Sequence, residues 1–425
     1  MPETKKVFVP RQLYEIQVKI KDLDYSNEMI NVVIGSSLSS AYQVITLSML
    51  IDPTDVIIED IFGGEPIKLQ ITLNREYTVS GPSIDIELMY ITSSFQLIQK
   101  EKMSKIPDKD RTVLTIVTVA REAYKTMNTL VNKVFIGKKI PEILDELAGD
   151  VGATLEYDKK NQNKKVISQV CIPPTTFYKI IKEHTRNDPD VFDGYLDQRF
   201  GLFDGVPGVF CQHDNTVYIK NLTDKFKKDQ TFTIYQIANY QEKQESNKIL
   251  QEAMKGKTFY TYDAIETDYS GNAKFAKLGT TLKHLIRPKN KLTKTITQEL
   301  KDVAKDYSLI YSSQGLPPQL NIDSSADRVR YYNEDTGFDE NEIIFNSRYA
   351  RTVGDLSSIS INIERNLPVL NLIDVGECVK FKPMTIEYQD FEGKYILWSS
   401  EVSFERKKDW ETTAVVNLIR TNKKK

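Results

Sequence analysis

The sequence predicts an α+β fold in which antiparallel β-structure predominates. Three observations lead there. Long stretches at both ends of the chain alternate apolar and polar residues, the period of a strand with one buried face. Two stretches in the middle space their apolar residues at i, i+3, i+4 and i+7, as a helix does. No short repeat and no apolar run of about 20 residues interrupts the pattern, which removes solenoids and membrane-spanning helices.

The first coherent block covers residues 12–108. Tyr14, Ile16, Val18 and Ile20 alternate, then Ile30, Val32 and Ile34, then Ile45, Leu47, Met49 and Ile51. Asp52-Pro53-Thr54-Asp55 brings a capping carboxylate and a proline suited to the first turn of a helix. Val56, Ile57 and Ile61 form its short stripe, and Gly63-Gly64 end it. Strands resume at Ile67–Leu73 and at Ile84–Tyr90, so the block reads as an antiparallel sheet or small barrel with one helix.

Lys100–Arg111, charge-rich and holding Pro107, marks a boundary. After a strand at Thr112–Val119, Ile140, Ile143, Leu144 and Leu147 predict a helix that Pro141 opens and Gly149 or Gly152 closes. Phe177, Ile180, Ile181 and His184 predict a second. Thr216–Lys220 and Phe232–Ile237 read as strands. From Gln241 to about Asn341 the chain is polar and irregular, with a helix predicted through Ile296, Leu300, Val303 and Tyr307.

Asp355–Asn422 reads as a β-meander. Ile359, Ile361 and Ile363 alternate, and Asn366-Leu367-Pro368 breaks the run. Val375-Gly376-Glu377 opens a strand through Val379 and Phe381, and Met384, Ile386 and Tyr388 predict the next. Beyond a turn at Glu392-Gly393, Ile396, Trp398, Val402 and Phe404 share a face opposite Ser399, Glu401 and Glu405. Ala414, Val416 and Leu418 close the series. About four strands with one apolar face are not stable alone, so this piece must pack on another part of the chain.

The run Asn366-Leu367-Pro368, Val375-Gly376-Glu377, Gly393-Lys394-Tyr395, Trp410 and Leu418-Ile419-Arg420-Thr421-Asn422 resembles the end of the central baseplate hub subunit of contractile-tailed bacteriophages. The spike proteins of type VI secretion are more distant kin. The resemblance implies two small tube-like β-barrel domains with α+β insertions between their segments. Placed on this chain, it expects a first tube-like domain at 1–108 and an α+β insertion at 109–228. The second tube-like domain would combine 229–245 with 355–425, around an elaborated insertion at 246–354. It further implies a homotrimer whose six similar units form a ring. Its partners would be the central spike protein and the tail tube or tube-initiator proteins, with DNA only as passing cargo. The place would be the baseplate of the virion, assembled in the host cytoplasm.

Composition narrows the alternatives. Lys plus Arg number 57 against 59 Asp plus Glu, a net charge of −2, which argues against a dedicated nucleic-acid binder. The three cysteines, Cys171, Cys211 and Cys378, are odd in number and far apart, so a disulfide framework is not expected. Met1–Pro10 carries charges without an apolar core and does not read as a signal peptide.

Each candidate for chemistry has a commoner structural explanation. Gly256-Lys257-Thr258 resembles a phosphate loop, but the motif's first glycine would stand at Gln251. Cys211, His213 and Asp214 fall short of a zinc set in a chain with three histidines. Cys171 and His184 could meet as a nucleophile pair, yet His184 lies on the apolar stripe of its helix. Asp188, Asp190, Asp193 and Asp197 supply the carboxylates a glycosidase needs, in a stretch that reads as a solvated loop. The 22 tyrosines and 18 phenylalanines mostly occupy alternating strand positions, which suits a core better than base stacking. The expectation is therefore a structural protein without catalytic residue, metal or cofactor. The alternatives are a tail-associated peptidoglycan-degrading enzyme with its site in the polar middle region, and a β-rich adhesin.

Overall fold

The computed structural model describes residues 13–37, 42–51, 57–74, 83–97, 112–158, 162, 164, 166–185, 208–213, 216–221, 230–237, 249, 252–253, 255–268, 281–287, 294–299, 328–333 and 358–423. The fold is α+β and predominantly antiparallel β, as the alternating patterns require.

The first block supplies β1 (Tyr14–Ile20), β2 (Leu23–Asp24), β3 (Met29–Ser37), β4 (Val44–Ile51), α1 (Ile57–Phe62), β5 (Ile67–Leu73), β6 (Ile84–Leu97) and β7 (Thr112–Ala120). All its ladders are antiparallel, in the order β3-β4-β7-β6-β5-β1-β2. In β1 every second side chain is buried, so Tyr14, Ile16, Val18 and Ile20 line the core. α1 stops because Gly64 takes a φ of +89°, a conformation without steric cost only for glycine. Its predicted cap at Asp52–Asp55 lies outside the described residues. β7, on the far side of the expected boundary at residue 108, pairs with both β4 and β6.

A smaller unit follows: α2 (Arg121–Asn128), β8 (Leu130–Lys138), α3 (Ile140–Val151), β9 (Thr154–Tyr157), β10 (Ile167–Thr176), α4 (Phe177–Thr185), β11 (Gly208–His213) and β12 (Thr216–Asn221). β8 pairs with β10, while β12 lies between β11 and β9. Both predicted helices are present. In α3, Pro141 sits in the first turn, Glu142 accepts the Lys139 N–H at 2.9 Å, and Gly152 closes the helix at φ +71°. Ile143, Leu144 and Leu147 of α3 and Phe177, Ile180 and Ile181 of α4 are buried together with Val131 and Phe135 of β8. Tyr42 anchors this unit to the first sheet, through a hydrogen bond with Thr126 and a ring contact with Tyr178 at 4.9 Å.

The later segments are β13 (Phe232–Gln236), β14 (Thr258–Thr261), β15 (Glu266–Asp268), β16 (Thr281–Arg287), β17 (Lys294–Glu299), β18 (Arg328–Asn333), β19 (Ser358–Ile363), β20 (Cys378–Pro383), β21 (Gly393–Arg406) and β22 (Trp410–Lys423). β16, β17 and β18 form a sheet of their own. The others join the strands of the first block in one 14-stranded sheet. The sheet is open and branched: β14-β13-β20 leads into β21, which also carries β22, β19 and β15. A closing ladder is absent among the described residues, though the Glu364 N–H donates to the Tyr260 carbonyl at 2.9 Å across the gap between β19 and β14.

Four sequence expectations change. Ile30 falls at a bulge in β3, so Met29 rather than Ile30 joins Val32 and Ile34 in the core. Ile296 lies in β17 rather than a helix, where Thr295-Ile296-Thr297 is a β-branched run that favours extended backbone. The rest of that predicted helix is outside the described residues. Ile386–Phe391 is a 3-10 turn rather than a strand, closed by hydrogen bonds from the Tyr388 N–H to Thr385 and from the Glu392 N–H to Gln389. It leaves Ile386 84% exposed, because the chain turns to reach β21 instead of extending β20 past Pro383. In β21 a bulge falls between Leu397 and Ser399, so Leu397 is buried and Trp398 only partly so.

The two strand-rich ends share one core. Phe404 of β21 meets Tyr14 of β1 edge-on, with ring centroids 5.3 Å apart. The Tyr14 hydroxyl in turn accepts the Leu370 N–H at 3.4 Å, from the buried 3-10 segment Val369–Ile373. Burial raises the Tyr14 pKa despite this bond, so the phenol stays neutral throughout the physiological range. Truncating Phe404→Ala is expected to cost about 3–5 kcal/mol, the usual loss for a fully buried aromatic. Tyr14→Phe, which leaves the Leu370 N–H without its acceptor, should cost about 1–3 kcal/mol. Denaturant midpoints followed by tryptophan fluorescence check both; a loss below about 1 kcal/mol for Phe404→Ala would contradict a shared core.

Candidate functional site

The residues singled out for chemistry do not assemble into a catalytic or metal centre among the described residues. Gly256 holds a φ of +71° in the turn that enters β14, and its carbonyl accepts the Asn371 amide at 2.7 Å. A Cβ there would stand 2.8 Å from that amide, which explains the glycine without a phosphate. Cys211 and His213 lie in β11, in register with Tyr218 and Thr216 of β12. Cys171 is exposed on β10, opposite Val134 of β8, and His184 belongs to α4. Asp188, Asp190, Asp193, Asp197 and Asp214 lie outside the described residues. No group of three or more His, Cys, Asp and Glu side chains is placed to hold a metal among the described residues.

What the residues do build is an extended surface. β21 is long enough to serve two partners along one edge. Its first half, Gly393–Ile396, pairs with β20, and its second half, Ser399–Glu405, pairs with β3 of the first block. Its other edge pairs with β22 along the whole length. The outcome is an uninterrupted ladder, β15-β19-β22-β21-β3-β4-β7-β6, in which every pairing is antiparallel.

The inner face of this ribbon is core. One row runs Ile363, Ala414, Val402, Ile34, Ile45, Thr118, and the next runs Thr412, Phe404, Val32, Leu47, Ile116. All of these are buried, and the Thr118 hydroxyl donates to the Ile45 carbonyl at 2.7 Å.

The outer face follows the same register. One row reads Asn362, Val415, Glu401, Gly35, Val44. The next reads Thr413, Ser403, Val33, Thr46, Val117, Thr92, and the one beyond it Glu411, Glu405, Asn31, Ser48, Thr115, Ser94. These rows hold three glutamates and no lysine or arginine. Two neighbouring cations are tied to those acids at the hairpin end: Lys407 meets Glu411 at 2.8 Å and Glu405 at 3.7 Å, and Arg365 reaches Glu411 at 3.7 Å. The other arc of the first sheet differs, since its outward rows carry Lys19, Lys68 and Glu87, and Gln17, Gln70 and Asp85.

Affinity for a polyanion comes mainly from Lys and Arg neutralising phosphates. A flat sheet face of Ser, Thr, Asn and Val with a slight acidic bias therefore offers a polyanion no foothold. Sequence reasoning missed this surface. Its signal was present in the outward positions of alternating strands, which are hydroxyl and β-branched residues where an ordinary solvated strand would show Lys and Glu. A second feature lies on β8, whose Leu130, Val134 and Ile136 are 66%, 51% and 72% exposed.

No protein-family model and no curated protein matches the sequence. Among solved structures, the fold resembles the tail protein from Neisseria meningitidis MC58, with a TM-score of 0.54 at 10% identity over 95% of this chain and 96% of that one. It equally resembles the 43 kDa tail protein of prophage MuSo2 from Shewanella oneidensis, with a TM-score of 0.54 at 10% identity over 96% and 98% of the two chains. A chain of the Francisella PdpA–VgrG complex matches with a TM-score of 0.52 at 10% identity, over 96% of this chain but 58% of that one. The neighbours of this fold are thus tail proteins, one of them from a prophage, and a chain of a PdpA–VgrG complex.

The character of the outer face is open to a gain-of-binding test. Thr46→Lys, Val117→Lys and Ser403→Lys together place three cations in one row across β21, β4 and β7. The parent is expected to show no retention of double-stranded DNA on filters at moderate salt. The triple variant should retain it, with affinity falling as salt rises by a log–log slope of about −0.9 per phosphate contacted. Retention by the parent would refute the reading of this face.

Proposed function

We propose that this chain is a structural subunit of a phage-type tail, the hub where tail tube and central spike meet. The observation that carries the reading is the ladder through β21 and β3, which fuses two strand-rich modules into one sheet whose outer rows across β21, β3, β4 and β7 hold no lysine or arginine. Support comes from the shared fold with two tail proteins, one of them from a prophage, over nearly the full length of all three chains.

Three copies would stand around an axis, each contributing two modules, so that six similar units match a six-fold tube above and a three-fold spike below. The outer face would line the lumen, where a faintly acidic wall lets DNA pass without capture. The fold's presence in a PdpA–VgrG complex supports a spike protein as the axial partner. Release of that spike would open the channel. The expected division, with tube-like units at 1–108 and at 229–245 plus 355–425, stands as part of this proposal. Function then resides in shape and symmetry, and no catalytic residue is assigned.

The mass of the purified protein, alone and with the products of adjacent genes, tests the reading. A particle of three chain masses without activity on peptidoglycan is the expected result. A stable monomer under both conditions would overturn this reading, and a stable monomer that clears peptidoglycan would replace it by the enzymatic one.

A further inference from the structure

The ladder ends in two edges. At one end, β5 pairs only with Ile84–Leu88 of β6, whereas β7 follows β6 as far as Leu97. The edge of Met89–Leu97 that faces away from β7 therefore has no ladder partner among the described residues. At the other end, β15 pairs with β19 on one side and with nothing described on the other.

The free stretch of β6 reads Met-Tyr-Ile-Thr-Ser-Ser-Phe-Gln-Leu. Monomeric proteins protect such an edge with lysine, proline, inward charges or extreme shortness. This one has neither charge nor proline, and its composition is that of a segment prone to pair with another strand. Because the pairing with β5 ends at Leu88 of β6, Phe95 is left 52% exposed at the margin of the core, and Ile91, at a bulge, 39% exposed. Among the described residues nothing shields this edge, and an added strand would satisfy it.

The polarity of the ribbon says what covers it. Eight strands in unbroken antiparallel alternation leave β6 and β15 running in opposite directions. β6 of one copy can then lie beside β15 of the next without breaking the alternation, whereas an odd number of strands would force a parallel joint. Such a contact is heterologous, the kind that closes into a ring. The geometry points to the Met89–Leu97 edge of β6 as the surface that takes a second copy of this chain, by adding the β15 end of the neighbouring ribbon as the next antiparallel strand. The inference rests on the ring proposed above and specifies its seam.

The test uses the full chain with exposed Cys171 changed to serine. Ser94→Cys on β6 and Glu266→Cys on β15 are introduced singly and together, and the assembled protein is oxidised and run without reductant. Bands of two and three chain masses that need both cysteines are the expected result. In parallel, Ile91→Lys with Phe95→Lys should convert the ring to monomers while the circular dichroism spectrum stays that of the parent. A ring that survives both lysines and never cross-links overturns the seam but leaves the ring intact. A parent that is monomeric under all conditions overturns both. If the lysine variant loses its fold, the paired cysteines still decide.

Discussion

One strand, β21, carries the architecture. It satisfies β20 and β3 along one edge and β22 along the other, so the modules at the two ends of the chain share a ladder rather than a mere contact. Backbone hydrogen bonds make this joint stiff, because sliding it by one residue would turn every inward side chain out to solvent. Tyr14, Phe404 and Leu370 seal it from inside, joining the first strand of one module to a loop and a strand of the other. Arg406 fastens the rim, donating to the Ser26 and Asn27 carbonyls at 2.9 Å while its guanidinium lies over Trp410. A rigid joint of this kind suits a part whose work is to hold two neighbours in a set geometry.

The same ladder explains the contrast between the two faces. Inside, aliphatic and aromatic rows continue from β19 to β7 without a charged side chain. Outside, the rows are polar, with three glutamates and no lysine or arginine. Solubility does not require this, since the neighbouring arc formed by β1 and β5 carries ordinary mixed charge. A face without lysine or arginine in its rows fits the proposed passage for a polyanion, and core packing alone does not call for it.

The α+β unit and the three-stranded β16–β17–β18 sheet stand apart from that ribbon. The former is bound to the first sheet through Tyr42 and through α2, which packs on β6 and β7. Its own ion pairs, such as Lys133 with Glu146 and Asp150 at 2.7 Å, are exposed and add little stability. They hold α3 in place over β8, while the opposite face of β8 is left apolar and open.

Strand identity and inward residues were legible wherever alternation was regular, as in β1, β4, β5, β19 and β22, because period two survives only if one face is buried. Both helices of the middle unit were legible from their spacing and their terminal proline and glycines. Bulges were not. They shift the alternation by one at Ile30, Ile91 and Trp398, and their cost is repaid by partners distant in sequence. Nor could periodicity reveal that β3 pairs with β21, some 360 residues away, since any two half-buried strands present the same pattern. Within the regular strands, the amino-acid order by itself settled which residues face inward. Tertiary structure alone decided which strands became neighbours, and so gathered scattered Ser, Thr and Val positions into one continuous wall.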